Sequence, residues 1–194
     1  MPYALAHASG YLSISAANSI TFDESWQVEK YDEHADYHKL LQQVDGTKAV
    51  DFIATRTTGP KVLYLIEVKD FRGYRTEQKQ ELTSGELASE IVQKVRDTLP
   101  GLIGGCRTSS KQDAWRPFAS GLLDLQTEIR VIVWLESESR SPYPDDKAKS
   151  TLIEQLKRKL RWLTTKVAVL SLKQGPPPDG LHVISLPRIE PETN

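Results

Sequence analysis

The stretch from residue 48 to 69, KAVDFIATRTTGPKVLYLIEVK, constrains the fold of this chain more than any other. Val50, Phe52, Ile53 and Ala54 form one apolar run and Val62 through Ile66 form a second. Between them, Thr57-Thr58-Gly59-Pro60 has the composition of a tight turn. The pattern predicts a β-hairpin. With the turn centred on Gly59, Thr55 faces Leu63, Ile53 faces Leu65 and Asp51 faces Glu67. Side chains alternate along a strand, so Lys69 shares a face with Glu67, while Val62, Tyr64, Ile66 and Val68 point to the other. That second face is wholly apolar, and the first becomes charged only at the end away from the turn. A central strand pair, buried on both faces, has this pattern where it opens into a cleft.

Two carboxylates directly opposed on a ladder repel, with Cβ atoms only about 4.5 to 5.5 Å apart. A divalent cation with hard oxygen ligands offsets such a repulsion, and Mg²⁺ is commonly held by one or two carboxylates plus waters and substrate phosphates. Asp51, followed by Glu67-Val68-Lys69 on the next strand, resembles the signature of the PD-(D/E)xK nuclease superfamily. The resemblance runs from the helix expected before Asp51 to the helix expected after Lys69. Val50 stands where the name of the motif has a proline, a position that varies in the superfamily. The same three residues also fit a surface salt-bridge cluster in which Lys69 neutralises both acids. Against that reading, a solvated face is polar along its whole length, whereas here the charges follow Leu63 and Leu65 in register.

The 194 residues suit one domain, residues 1–194, with a frayed tail over 187–194. A formal net charge of -1 excludes a general nucleic-acid coat, so a polyanionic partner requires a local basic patch. Cys106 is the only cysteine, which leaves no intramolecular disulfide and no cysteine-based zinc site. Residues 1–20 lack the pattern of a secretory signal, and no segment has the apolar length of a membrane span. The expectation is a cytoplasmic protein without a membrane partner.

Along the chain, residues 19–22 and 26–31 alternate on either side of Asp23-Glu24-Ser25 and predict a first hairpin. Thr21 with Glu24 also fits a capping box. From Asp32 to Val44 the period becomes helical, with Tyr37, Leu40, Leu41 and Val44 as the stripe and Asp32 as N-cap. Glu33 falls on the inward face of that helix; Asp36 is its rival, and a solvated acid at the helix start is the plain alternative. His34 and His38 have zinc-like spacing but no third ligand, so they read as two exposed histidines. Arg72, Tyr74 and Arg75 lie in a loop at the charged end of the hairpin, suited to a phosphate backbone or a splayed base, or simply a polar loop.

A helix from Thr83 or Ser84 to Leu99 carries Leu87, Ile91, Val95 and Leu99 inward, with Pro100-Gly101 as its stop and Gln93 and Lys94 off the centre of the stripe. A loop and one or two short helices follow to Leu125, then a strand over 128–135. A long helix from Asp146 to Leu163 buries Leu152, Leu156, Leu160 and Leu163. Its polar side carries Lys147, Lys149, Lys157, Arg158, Lys159 and Arg161, a basic patch for a phosphate backbone or a solvated face. Short strands at 167–172 and 181–186 complete an α/β chain. The expected architecture is three-layer α/β/α, a mixed central sheet flanked by helices on both faces, which is also the restriction-endonuclease-like fold that the resemblance implies.

The resemblance implies hydrolysis of phosphodiester bonds in DNA, or RNA. Asp51 and Glu67 would bind Mg²⁺ or Mn²⁺ with the Val68 carbonyl as a further ligand, and Lys69 would orient water or offset developing charge. It also implies a supporting carboxylate, assigned to Glu33, and a supporting residue on the following helix, assigned to Gln93. Arg72, Tyr74, Arg75, Lys157, Arg158 and Arg161 are the candidate nucleic-acid contacts, and a homodimer stays open. The alternative is a nuclease fold without catalysis, kept as a binding or scaffold module.

Overall fold

The structure, a computed structural model, describes residues 11–14, 18–71, 84–136, 142–172 and 177–185. Among the described residues eight strands lie in two sheets. β1 (Tyr11–Ile14), β2 (Asn18–Phe22) and β8 (Leu181–Ser185) form a three-stranded antiparallel sheet in the order β1-β2-β8. β3 (Trp26–Lys30), β4 (Phe52–Arg56), β5 (Val62–Asp70), β6 (Glu128–Glu136) and β7 (Val167–Leu170) form a five-stranded mixed sheet in that order. Three helices are described: α1 (Glu86–Thr108), α2 (Gln112–Leu123) and α3 (Pro142–Leu160). None is long and apolar enough to cross a membrane among the described residues.

The hairpin at 48–69 forms as its alternation requires. β4 and β5 pair antiparallel with Ile53 opposite Leu65 and Thr55 opposite Leu63, and Gly59 takes the positive φ of 83° that the turn needs. β5, β6 and β7 then run parallel, linked by α1 and α2 and by α3. Parallel crossovers are right-handed, so two successive ones that progress the same way across a sheet lay their helices on the same face. The core follows that rule. Ile53, Leu63, Leu65, Val131 and Val133 on one face meet Leu87, Ile91 and Val95 of α1, Phe118 of α2 and Leu152, Leu156 and Leu160 of α3.

The other face does not carry a helix among the described residues. Phe52, Tyr64, Ile66 and Ile132 pack there against Ile20, Phe22 and Leu181 of the small sheet. The mixed α/β sheet is therefore as expected, whereas the layering differs from helices on both faces: helices cover one face and a second sheet the other. A strand order that never reverses leaves no crossover to bring a helix to the second face.

The predicted first hairpin is also corrected. Both strands exist, but β2 joins β8 and β3 joins β4, and Asp23 marks the corner between the two sheets. Its N–H donates to the Gly180 carbonyl, while its carboxylate accepts from the Ser25 N–H and hydroxyl. Local alternation identifies strands but not their partners, and here β2 lies between β1, just before it, and β8, more than 150 residues later.

Pro100 does not stop α1. A proline inside a helix costs about 3 kcal/mol, yet α1 continues to Thr108 because its second half is needed in the core. Leu102 is fully buried, and Gly105 lies so close to α2 that a Cβ there would meet Trp115 Cγ at 2.7 Å. One buried leucine contributes about 1.5–3 kcal/mol, and the Trp115 contact adds to it. The third helix begins at Pro142 rather than Asp146, with proline in its first turn where no N–H is needed.

Candidate metal centre

The charged end of the hairpin lies where β5 approaches the first turns of α1. Asp51 sits just beyond the last β4–β5 pair, Phe52 opposite Ile66, so the register brings it level with Glu67 but outside the hydrogen-bonded ladder. Its backbone carbonyl accepts instead from the Tyr31 N–H at 2.8 Å, and its Oδ2 accepts from the Val68 N–H at 2.6 Å. The acid is thus clamped to the backbone of the strand it was expected to oppose.

Glu67 is 1% exposed, the most buried carboxylate of the site. Burial, reinforced by the charge of Asp51, outweighs the nearby ammonium groups and pushes its carboxyl up to about 7. Its Oε1 lies 2.6 Å from the Nζ of Lys94 and 3.3 Å from that of Lys69, while its Oε2 is buried without a hydrogen-bond partner. Lys69 is also held by Glu90, Nζ to Oε1 2.9 Å. Burial alone would raise the Glu90 carboxyl, but the hydrogen bond and charge of Lys69 hold it below the usual glutamate range.

Lys94 is the residue that sequence reasoning passed over. Its Nζ reaches both Glu67 Oε1 and, at 3.6 Å, Asp51 Oδ1. Burial would lower its pKa; the fields of Glu67 and Asp51 win and raise it. Gln93 is elsewhere, its Nε2 donating to the Gly46 carbonyl at 2.6 Å. A signal was present: Glu90 and Lys94 each precede a core position, Ile91 and Val95, and stand four residues apart, so they flank the stripe on the same side.

Glu33 is likewise displaced. No helix starts at Asp32; only a single π-helical turn forms, at Tyr37–Leu41, and Val44 is 61% exposed instead of inward. Lys30 at the end of β3 draws both Asp32 and Glu33 to its ammonium, at 2.9 and 3.0 Å, leaving the Glu33 side chain 64% exposed. Asp32 is the carboxylate nearer the site, its pKa raised by burial and, to a smaller extent, by Asp51. Asp36, the rival, accepts from Trp115 Nε1 at 2.7 Å and is structural. His34 is half-buried, its ring 4.5 Å from that of Trp115, while His38 contacts Gln42, so the two do not converge on one ligand. Among the described residues no group of three or more His, Cys, Asp or Glu side chains is gathered for a metal ion.

Glu90 also lines a polar cleft of about 630 Å³ between the start of α1 and the end of α3, where Lys48, Arg158 and Lys159 supply positive charge. Lys157 and Arg161 are exposed but do not line it. Lys149, expected on the polar face of α3, is buried with its ammonium 3.2 Å from Ser171 Oγ. Arg72, Tyr74, Arg75 and the tail at 187–194 lie outside the described residues.

The donor set fits a small divalent cation in one respect and strains it in another. Two carboxylates with a buried, unpartnered oxygen are suitable ligands for Mg²⁺, which keeps several waters. The ammonium of Lys94 already lies against both. Comparison with protein-family models, with curated proteins and with solved structures finds no match to this chain. The chemistry of the site therefore rests on its own residues.

The raised Glu67 pKa has a consequence for stability. Folded Glu67 keeps its proton up to about pH 7, whereas the unfolded side chain loses it near 4.5. The folded state thus binds more protons in that window, and in EDTA its stability falls as pH rises from 4.5 to 7, by at most about 1.4 kcal/mol per pH unit. Glu67→Gln is expected to flatten this decline in urea unfolding measured across that range; an unchanged slope assigns the proton to another group.

Proposed function

We propose that the chain is a metal-dependent nuclease of PD-(D/E)xK type, with a restriction-endonuclease-like core, hydrolysing phosphodiester bonds in DNA or RNA. The reading is carried by one observation. The helix-covered face of the sheet, apolar at Ile53, Leu63 and Leu65, ends in Asp51 and a buried Glu67 with a free oxygen, and Lys69 stands beside them. Asp51 and Glu67 are the residues that would hold Mg²⁺ or Mn²⁺, with the Val68 carbonyl as the further ligand. When bound, the ion supplies Lewis acidity toward a phosphoryl oxygen and eases deprotonation of water.

The protein's own groups do the rest. Asp51 is kept in place by the Val68 N–H, and Glu67 is kept dry by the core around it. Lys69, fixed by Glu90, offers a donor to the attacking water or to the charge that develops on phosphate. Lys48, Arg158 and Lys159 can hold the backbone of the substrate in the cleft that Glu90 lines. The decisive assay incubates the purified protein with single- and double-stranded DNA and RNA in Mg²⁺, Mn²⁺ or EDTA. Cleavage in either metal and none in EDTA is expected; cleavage unaffected by EDTA rejects the metal reading.

The second reading is a binding module without catalysis, favoured by Lys94, which sets an ammonium against both acids without any ion. Nucleic-acid binding without cleavage under every condition selects it. The cleft serves both readings. Replacing Lys48, Arg158 and Lys159 with Gln is expected to weaken duplex DNA binding uniformly across sequences. Each lost phosphate contact lowers the slope of log affinity against log salt by about 0.9, so the triple variant drops by up to about 3. An unchanged slope puts the nucleic acid on another surface.

A further inference from the structure

The ammonium of Lys94 lies against both carboxylates that would hold the proposed cation. Of the four oxygens on the acid pair, Asp51 Oδ2 is committed to the Val68 N–H, and Asp51 Oδ1 and Glu67 Oε1 face Lys94. Only Glu67 Oε2 is unpartnered, and it is buried. An ion held by both Asp51 and Glu67 would therefore meet a positive charge already in contact with them. Close approach of two like charges in a buried site is strongly unfavourable. One must leave.

Lys94 can do so. Its side chain keeps 17% of its surface exposed, whereas that of Glu67 keeps 1%. The lysine stem is flexible, and a carboxylate four residues earlier on the same helix, Glu90, lies within reach of a new rotamer. Glu90 holds Lys69 through Oε1, so moving Lys94 toward it gathers both ammonium groups at one acid beside the cleft.

We propose that Lys94 is the protein's internal competitor for the divalent ion: it closes the acid pair when the metal is absent and must swing away for both carboxylates to coordinate. This rests on the metal-centre reading above. Lys94 is then a positioning residue that sets metal affinity, not a ligand.

The test compares Mg²⁺ titrations of the unsubstituted protein and Lys94→Met, followed by melting temperature at pH 8.5, where Glu67 is ionised in the parent protein. The half-saturating Mg²⁺ concentration is expected to fall at least about tenfold in the variant, because no ammonium has to be displaced. An equal or higher concentration overturns the proposal while the metal centre stands, since a supporting lysine lost from a site does not tighten it. A response from neither protein overturns the metal centre and the proposal with it.

A second measurement needs no variant. Acetylation of Lys94 by an amine-reactive ester, read by mass spectrometry, is expected to rise at least about threefold in saturating Mg²⁺, relative to the exposed Lys157 as reference. Labelling of Lys94 that is unchanged or reduced by the ion overturns the swing.

Discussion

Lys69→Met is expected to lower the rate of phosphodiester cleavage by roughly 10²–10³-fold, the loss typical of removing one charge-stabilising donor from an active site. Methionine keeps the length and packing of the lysine stem and removes only the ammonium. That ammonium lies 2.9 Å from Glu90 and 3.3 Å from Glu67, close to the proposed ion without belonging to its ligand set. Metal binding should therefore persist, and the Mg²⁺-induced rise in melting temperature is the internal control. Glu90 loses its partner but is half-buried and can take water instead, so the fold is retained. Single-turnover cleavage at saturating metal decides the matter: a rate close to that of the unsubstituted protein removes Lys69 from the chemistry.

Asp51→Asn is expected to abolish the stabilisation by metal. At an ion concentration ten times the dissociation constant, binding to the folded state alone contributes about 1.4 kcal/mol, or roughly 3–6 °C for a chain of this size. Asparagine still offers an oxygen to the Val68 N–H, so the local backbone is held as before while the charge is gone. Removing that charge also removes one of the influences that raise Glu67, whose pKa should fall below about 7. The structure tempers a further expectation, that the substitution stabilises the metal-free protein. Facing acids on a bare ladder would repel in full, whereas Lys94 is set against both and offsets part of that repulsion, so the gain is smaller than for an unpaired couple. A full metal-induced shift retained in Asp51→Asn rules out that acid as a ligand.

Much of this architecture was legible in the sequence because it depends on period alone. The alternation in 48–69 and the turn at Gly59 are enough to set the β4–β5 register, since a slip of one residue would turn Ile53, Leu63 and Leu65 to the opposite face. The stripes Leu87, Ile91, Val95 and Leu152, Leu156, Leu160 mark the inward faces of α1 and α3 for the same reason. That Glu67 and Lys69 share a face follows from the two-residue period, and that they gather near Asp51 follows from the hairpin.

Period says which face of an element is apolar, but not what covers it, and the remaining features were decided by long-range packing. β2 pairs with β8 rather than β3 because the apolar face of the central sheet beneath Phe52, Tyr64 and Ile66 is covered by side chains from both ends of the chain. α1 runs through Pro100 because Leu102 and the Gly105–Trp115 contact stabilise its continuation more than the proline opposes it. Lys94, not Gln93, reaches the acids because the roll of α1 on the sheet sets which flank of its stripe points to the end of β5. The residue types and order of Asp51, Glu67 and Lys69 are properties of the chain. The tertiary structure adds the burial that leaves Glu67 Oε2 without a partner and the ammonium that faces both acids, because desolvation and charge contact arise only where separate segments meet.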